Sequence, residues 1–364
     1  MRFREVDCDG GVQRDAARLE EIVVSPSLFP MEIDLRRHTL LFARISKDEC
    51  CSSTFLDGRS LRSPADVYSV DLNDLTAHLP ARTSPAPVHY ILHGGFCCSS
   101  LLARYLETMA GAFVVKEPAI LTQLSTFKLF KNVSLDFAAF EDEIAADWER
   151  WLRLSTFLLA RTYEADAIAI VKANDLCNWM GRLLLAQDAR TKIVFLASPL
   201  RVFVLSVLKF ARRRVWIRNR LRALESCFAR VPFLGKALTA DLTDEQCAAA
   251  VWLLNGFLCD ELLRAAPDRV RTLDGEEVAR RPHDALRATA EFFEIVDETG
   301  GTARLTDAPL LNHAKDVELP YDEATRRIDI QRAAERFGSE VEAAIGWATA
   351  VASEWIARCP FRLR

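Results

Sequence analysis

Two stretches of this chain combine residue types that handle anions. In His93-Gly-Gly-Phe-Cys-Cys-Ser-Ser-Leu-Leu102, Gly94 and Gly95 stand after a run of β-formers and shortly before a helical pattern. Glycines let a backbone turn tightly and come close to a ligand. The helix that follows offers unpaired N–H groups and the positive end of its dipole, which suit phosphate or sulfate. Ser99 and Ser100 can cap that helix and also donate to an anionic oxygen. Phe96, Cys97, Cys98 and Leu101 complete the loop. The same residues also fit a plain glycine turn with a serine N-cap. The second stretch runs from Ser198 to Leu224. It carries Arg201, Lys209, Arg212, Arg213, Arg214, Arg218, Arg220 and Arg222 with no acidic residue, in a chain whose formal net charge is −4. Phe203, Leu208, Trp216 and Leu221 interleave with these cations, as on helices anchored in a core. The cations read either as a positive rim over an anionic ligand or acidic substrate, or as a solvated helix face.

The elements that must position these residues follow from patterning. Residues 1–80 read as an N-terminal extension with short strands, Thr39-Leu-Leu-Phe-Ala-Arg-Ile45 being one. Phe55-Leu-Asp-Gly-Arg59 reads as a buried anchor followed by a turn. Pro80-Ala-Arg-Thr-Ser-Pro-Ala-Pro87 is a linker, because its prolines exclude a helix or a central strand. Residues 88–364 form the main domain. Val88–Leu92, Ala112–Val115, Ala167–Ala173 and Lys192–Ala197 are continuous apolar runs without strict alternation, as in strands covered on both faces, and Arg269-Val-Arg-Thr-Leu273 reads as a last strand. Helical patterns separate them, at about 99–109, 136–163, 242–265, 282–294, 322–337 and 338–358. Strands that alternate with helices imply parallel βαβ units.

Composition narrows the class. Half of the 364 residues are hydrophobic and 27% are charged, an ordinary globular balance. Ten cysteines without a C-x-x-C spacing are too sparse for a disulfide scaffold, which points to reduced thiols and a cytoplasmic setting. Met1-Arg-Phe-Arg-Glu-Val-Asp lacks an apolar segment, so no signal peptide is expected. No apolar run is long enough for a membrane span. No nucleic-acid-binding motif is present, and His89, His283 and His313 lack metal-ligand spacing. Trp148, Trp151, Trp179 and Trp252 fall in helical apolar patterns and read as core.

Taken in order, His93–Arg104, Lys116-Glu-Pro118, Val171-Lys-Ala-Asn174 and Arg201-Val-Phe-Val-Leu-Ser-Val-Leu-Lys209 resemble the motif succession of the sulfotransferases. A group of bacterial sulfotransferase-like proteins resembles the chain more narrowly. They share the Phe-Cys-x-Ser-[ST]-Leu-Leu loop, the Glu-Pro, the Phe-x-x-Ser-x-x-Lys helix and the Phe-Leu-Asp-x-Arg segment. The resemblance covers most of the chain, including Leu273-Asp-Gly-Glu ahead of Pro282. It implies an α/β fold, a P-loop NTPase/sulfotransferase-like three-layer sandwich whose parallel sheet is flanked by helices, with an N-terminal extension. It also implies a sulfuryl transfer from 3′-phosphoadenosine-5′-phosphosulfate (PAPS) to a hydroxyl or amine on a small-molecule or peptide acceptor, without a metal.

By this resemblance Gly95, Cys98, Ser99 and Ser100 line the phosphosulfate site. Ser206 matches the serine that holds the 3′-phosphate. The arginine expected with it falls on Ser198, and Arg201, Lys209 and Arg214 stand nearby as substitutes. Glu117 is the candidate general base and His93 an alternative. Lys172, at a strand end facing the ligand crevice, is the candidate charge stabiliser. The nucleotide-loop pattern G-x-x-x-x-G-K-[ST] is met only in part, since its lysine is absent and Cys98 replaces its second glycine. Two rival readings stay open: an ATP-using, kinase-like P-loop protein, and a non-catalytic binding protein on the same fold. His313–Asp316 and Tyr321 form a possible lid.

Overall fold

The computed structural model describes residues 16–57, 67–78, 86–130, 140–235, 237–238, 241–296, 312–313, 316–320 and 323–363. Arg59, residues 79–85 of the linker stretch and Tyr321 lie outside these, as do the side chains around His313–Asp316. In chain order the elements are α1 (Ala16–Val24), β1 (Leu28–Asp34), β2 (Thr39–Arg44), α2 (Lys47–Ser52), β3 (Val67–Asp71), α3 (Leu72–His78), β4 (Val88–His93), α4 (Ser99–Leu106), β5 (Ala112–Lys116), α5 (Ala119–Leu129) and α6 (Glu141–Leu159). There follow β6 (Ile168–Lys172), a 3₁₀ turn (Asp175–Met180), α7 (Gly181–Gln187), β7 (Ile193–Ala197), α8 (Leu200–Leu208), α9 (Ala211–Ala223), α10 (Glu225–Phe228) and α11 (Asp244–Ala265). The last are β8 (Val270–Asp274), α12 (Gly275–Arg280), α13 (Pro282–Phe293), β9 (Asn312–His313), β10 (Asp316–Pro320) and α14 (Glu323–Val351).

The apolar runs and the last strand form a five-stranded parallel sheet in the order β5-β6-β4-β7-β8. Every residue of β4 and β7 is buried, which is why these strands lack polar alternation. Their side chains still alternate between two faces. Ile91, Val114, Ile170, Val194 and Leu196 meet Leu102 and Leu106 of α4, Val278 of α12, and Leu286 and Phe293 of α13. Tyr90, Leu92, Val115, Val171 and Phe195 meet α5, α6, α7 and α11 on the other face. The result is the expected helix–sheet–helix sandwich. Parallel strands carry every C-terminal end to one edge. The chain leaves β4 for β5 through α4 on one face, and leaves its neighbour β7 for β8 by a connection that includes α11 on the other face, so the direction of the strand order switches between β4 and β7. Such a switch point is where open α/β sheets bind ligands.

Helix ends follow local chemistry. Thr243 and Gln246 form a capping box ahead of α11, and Pro282 occupies the first turn of α13. The two C-terminal helices expected at 322–337 and 338–358 are present within Glu323–Val351 and meet at a kink at Phe337, whose φ of −125° is non-helical; the second ends at Val351. No helix of the described residues is long and apolar enough to cross a membrane.

Strands β1, β2 and β3 make a separate antiparallel sheet. Its inward residues Leu28, Ile33, Leu40 and Phe42 join the same core as Leu121, Trp148 and Trp151. Gln123 of α5 pairs with both backbone groups of Ile33, at 2.7 and 2.8 Å. Arg161, just beyond α6, is buried and has carbonyls as its acceptors: Leu158 and Leu28 at 2.8 Å, Ser25 at 2.7 Å, and Ile22. Two of these belong to the C-terminal end of α1, where a cation also meets the negative end of the helix dipole. Burial pushes the Arg161 pKa down to about 9, so the side chain keeps its charge at pH 7. We expect Arg161→Met to leave these carbonyls dry and to lower unfolding stability by about 3–5 kcal/mol in urea titrations. Arg161→Lys should recover only part of it, because an ammonium lacks the planar fork.

Candidate active site

The loop between β4 and α4 has a backbone that its composition only partly announces. Gly95 has a φ of 85°, but Phe96 and Cys98 are also left-handed, at 53° and 60°. Left-handed residues in a tight loop turn successive N–H groups to one side and create a concavity for an anion. Among the described residues, no protein carbonyl accepts from the N–H groups of Phe96, Cys97, Cys98 or Ser100. Gly94 N–H instead donates to Leu196 O at 3.0 Å, and Gly95 N–H to His93 Nδ1 at 3.1 Å. His93 therefore holds the start of the loop.

Contacts from several elements fix the loop. Asn178 accepts from His93 N–H and donates to His93 O at 2.8 Å and to Asn255 Oδ1 at 2.8 Å. Ser198 Oγ donates to Phe96 O at 3.2 Å, and Ser198 O accepts from Trp252 Nε1. The residue standing where an arginine was expected thus clamps the loop. Gly275 lies against the loop from below. A Cβ there would come within 2.4 Å of Cys97 O, so only glycine lets the two backbones meet. Burial pushes the Cys98 thiol up to about 11 and raises that of Cys97, so both are neutral thiols whose use to the loop is their backbone.

At the ends of β5 and β6, Glu117 and Lys172 form a buried ion pair. Glu117 also has a positive φ, 50°, and its N–H donates to Lys172 O at 2.7 Å. This turn swings the carboxylate under the neighbouring strand end. Asn174 Nδ2 donates to the second oxygen, Oε2, at 2.8 Å. Burial raises the Glu117 pKa, but Lys172, His93 and the two hydrogen bonds outweigh it and hold the carboxyl at about 2. Lys172 stands in register with Ile91 of β4, so this strand end lies beside the start of the loop. Phe55 and Leu56 cover the pair. Leu56 exchanges backbone hydrogen bonds with Lys116 O and Ala119 N–H, and the Phe55 ring lies 5.7 Å from Lys172 Nζ.

The structure thus brings Glu117, Lys172, His93, Ser198 and the Gly94–Leu101 loop together, with Ser99 buried at the helix start. The candidate cations divide. Arg201 is turned away to Glu342 at 2.6 Å, and Arg214 donates to Leu208 O and lies over Phe337. Lys209 pairs with Asp329 at 3.2 Å. Ser206 is buried, and its carbonyl accepts from Arg213 Nη1 at 2.7 Å.

Two further cations stand at the loop: Arg213, from the basic stretch, and Arg326, which patterning did not single out. The Arg213 guanidinium lies 4.5 Å from the Phe96 ring centroid and 4.7 Å from that of Phe210. Arg326 of α14 is buried, pairs with Glu276 and exerts its charge on Cys97, Cys98 and Lys209. Phe96 itself packs edge-on against Trp216, ring centroids 5.1 Å apart. Arg220 makes a bidentate pair with Asp175, at 2.7 and 2.9 Å, and so ties the basic helix to the turn after Asn174. Among the described residues no cluster of His, Cys, Asp and Glu is arranged to hold a metal.

A buried pair resists the loss of either member. We expect Lys172→Met to cost about 3–5 kcal/mol because it strands the Glu117 carboxylate, and Lys172→Met with Glu117→Leu to recover most of that. The Glu117 pKa is depressed, so its stabilisation is complete above the ordinary carboxyl value of 4.5 and is lost as pH falls towards about 2. Glu117→Gln should flatten the stability profile in that window, read by urea unfolding at each pH. Gly275→Ala should push the loop from its place, lowering both the melting temperature and any affinity for phosphate-bearing ligands.

No protein-family model matches the chain, and no curated protein matches it. Among solved structures the chain is similar to the sulfotransferase domain from the curacin biosynthetic pathway, at 14% identity over 70% of this chain and 99% of that one, with a TM-score of 0.39. It is similar to the sulfotransferase domain of the Synechococcus olefin synthase, at 15% identity over 71% and 97%, with a TM-score of 0.37. A sulfotransferase from Mycobacterium avium is similar at 12% identity over 79% of each chain, with a TM-score of 0.39.

Proposed function

We propose that this chain is a sulfuryl transferase that takes its group from PAPS and delivers it to a hydroxyl or amine. The observation that carries this reading is one juxtaposition. An anion-ready loop, an ammonium and a carboxylate meet at the C-terminal ends of β4, β5 and β6. The loop N–H groups would hold the 5′-phosphosulfate. Lys172 would neutralise charge on the sulfuryl oxygens as the bond to the bridging phosphate oxygen breaks. The acceptor oxygen or nitrogen attacks sulfur, its proton passes to Glu117, and 3′,5′-ADP leaves.

The ion pair gives this proposal a switch. Beside Lys172 the carboxyl is held at about 2, too weak a base to take a proton readily. An anionic donor that draws the ammonium towards itself weakens the pair and raises the basicity of Glu117. The base is thereby strengthened only when the donor is in place. Arg213, over the Phe96 ring, and Arg326 would supply the positive field that the missing arginine and loop lysine do not. The kinase-like reading has less support, because β7 ends Leu196-Ala197-Ser198 and provides no acidic residue for the metal of a nucleoside triphosphate.

Radiolabelled PAPS, offered with a panel of hydroxyl and amine acceptors, tests this. Label should pass to an acceptor. Glu117→Gln should lower kcat about 10²–10⁴-fold while 3′,5′-ADP still binds. Phosphate transfer from ATP, without sulfuryl transfer from PAPS, would sink the proposal.

A further inference from the structure

The basic helix α9 divides its six arginines between two directions. Arg213, Arg214 and Arg220 turn inward, to Phe96, to Leu208 O and to Asp175. Arg212, Arg218 and Arg222 face solvent, and Val215 stands among them, 60% exposed. Just before the helix, Phe210 is 43% exposed, with Arg212 5.4 Å from its ring centroid. Ile328, 48% exposed, adjoins Asp329, the partner of Lys209. Two of the large apolar side chains exposed among the described residues, Phe210 and Val215, therefore lie on or directly before one arginine-rich helix.

We propose that this face docks on a bilayer surface carrying anionic lipids. The argument rests on charge and on apolar exposure together. The chain is net negative, so an anionic surface repels it in most orientations. The 198–224 stretch has no acidic residue, and its outward arginines give one orientation that is attracted. Phe210 and Val215 then have a use that a phosphate backbone does not offer, entry into the boundary between headgroups and acyl chains. Arg218 keeps its pair with Asp244 at 2.6 Å, which leaves Arg212 and Arg222 as the outward cations to test.

The test is co-sedimentation of the full chain with vesicles, and it is independent of any transfer reaction. Vesicles of phosphatidylcholine with about one-third phosphatidylglycerol should retain the protein in low salt. Pure phosphatidylcholine vesicles should not, and 0.5 M salt should release it. Arg212→Glu with Arg222→Glu should lower the bound fraction at least ten-fold. Val215→Ser should lower it several-fold at unchanged charge. Circular dichroism and melting temperature show whether each variant is folded; all three positions are exposed, and a folded variant that binds like the parent overturns the proposal. Equal retention on neutral vesicles overturns it too. Retention that is insensitive to Val215→Ser and abolished by competing duplex RNA would assign the face to a polyanion instead.

Discussion

Two opposite charges taken out of water must find each other and find hydrogen bonds, or the strand ends that carry them cannot be buried. The Lys172–Glu117 pair sets that condition for the edge of this sheet. Meeting it requires β5 and β6 in parallel register, so that Lys116 lies beside Lys172 and the next residue can turn beneath the neighbouring strand. It requires a left-handed Glu117, a backbone state that costs about 1 kcal/mol in a residue with a Cβ. It also requires Asn174 on the second carboxylate oxygen and the Phe55-Leu56 segment as cover. The N-terminal region is thus part of the site, since its backbone is hydrogen-bonded to both sides of Glu117.

The nucleotide-loop lysine is missing, and the loop is stabilised by other means. Phe96 takes part in an aromatic cluster with Trp216 and Phe203, with Arg213 over its ring. Ser198, Asn178 and Gly275 fasten its backbone from three directions. The positive field comes instead from neighbouring elements: β6 with Lys172, α9 with Arg213, and α14 with Arg326. Such a loop is shaped before a ligand arrives, which lowers the ordering cost of binding.

Much of the scaffold was legible in the sequence because parallel strands covered on both faces must be apolar throughout. Val88–His93 and Ile193–Ala197 could hardly be read otherwise. The glycine loop and Glu117 were legible because their residue types sit directly after such strands. Four things were not. The left-handed Phe96, Cys98 and Glu117 carry no compositional mark, since glycine is the usual sign of that conformation. Arg326 is more than a hundred residues in the chain from the loop, Glu117 and Lys172, and only the packing of α14 brings it near. In the basic stretch, sequence could count arginines but could not sort Arg213 and Arg220, which reach the site, from Arg201 and Arg214, which are used elsewhere. Gly275 stood inside a motif, yet its contact with Cys97 is a tertiary fact.

The central claim is that Glu117 is held as a weak base by Lys172 and strengthened when an anionic donor claims that ammonium. Carbon-13 NMR of the glutamate side-chain carboxyls, with Glu117 assigned by the resonance lost in Glu117→Gln, reads this directly. In the free protein the resonance should stay ionised down to about pH 2, and with saturating PAPS its midpoint should rise. An ordinary midpoint near 4.5 in the free protein, or one that ignores the donor, would contradict the account.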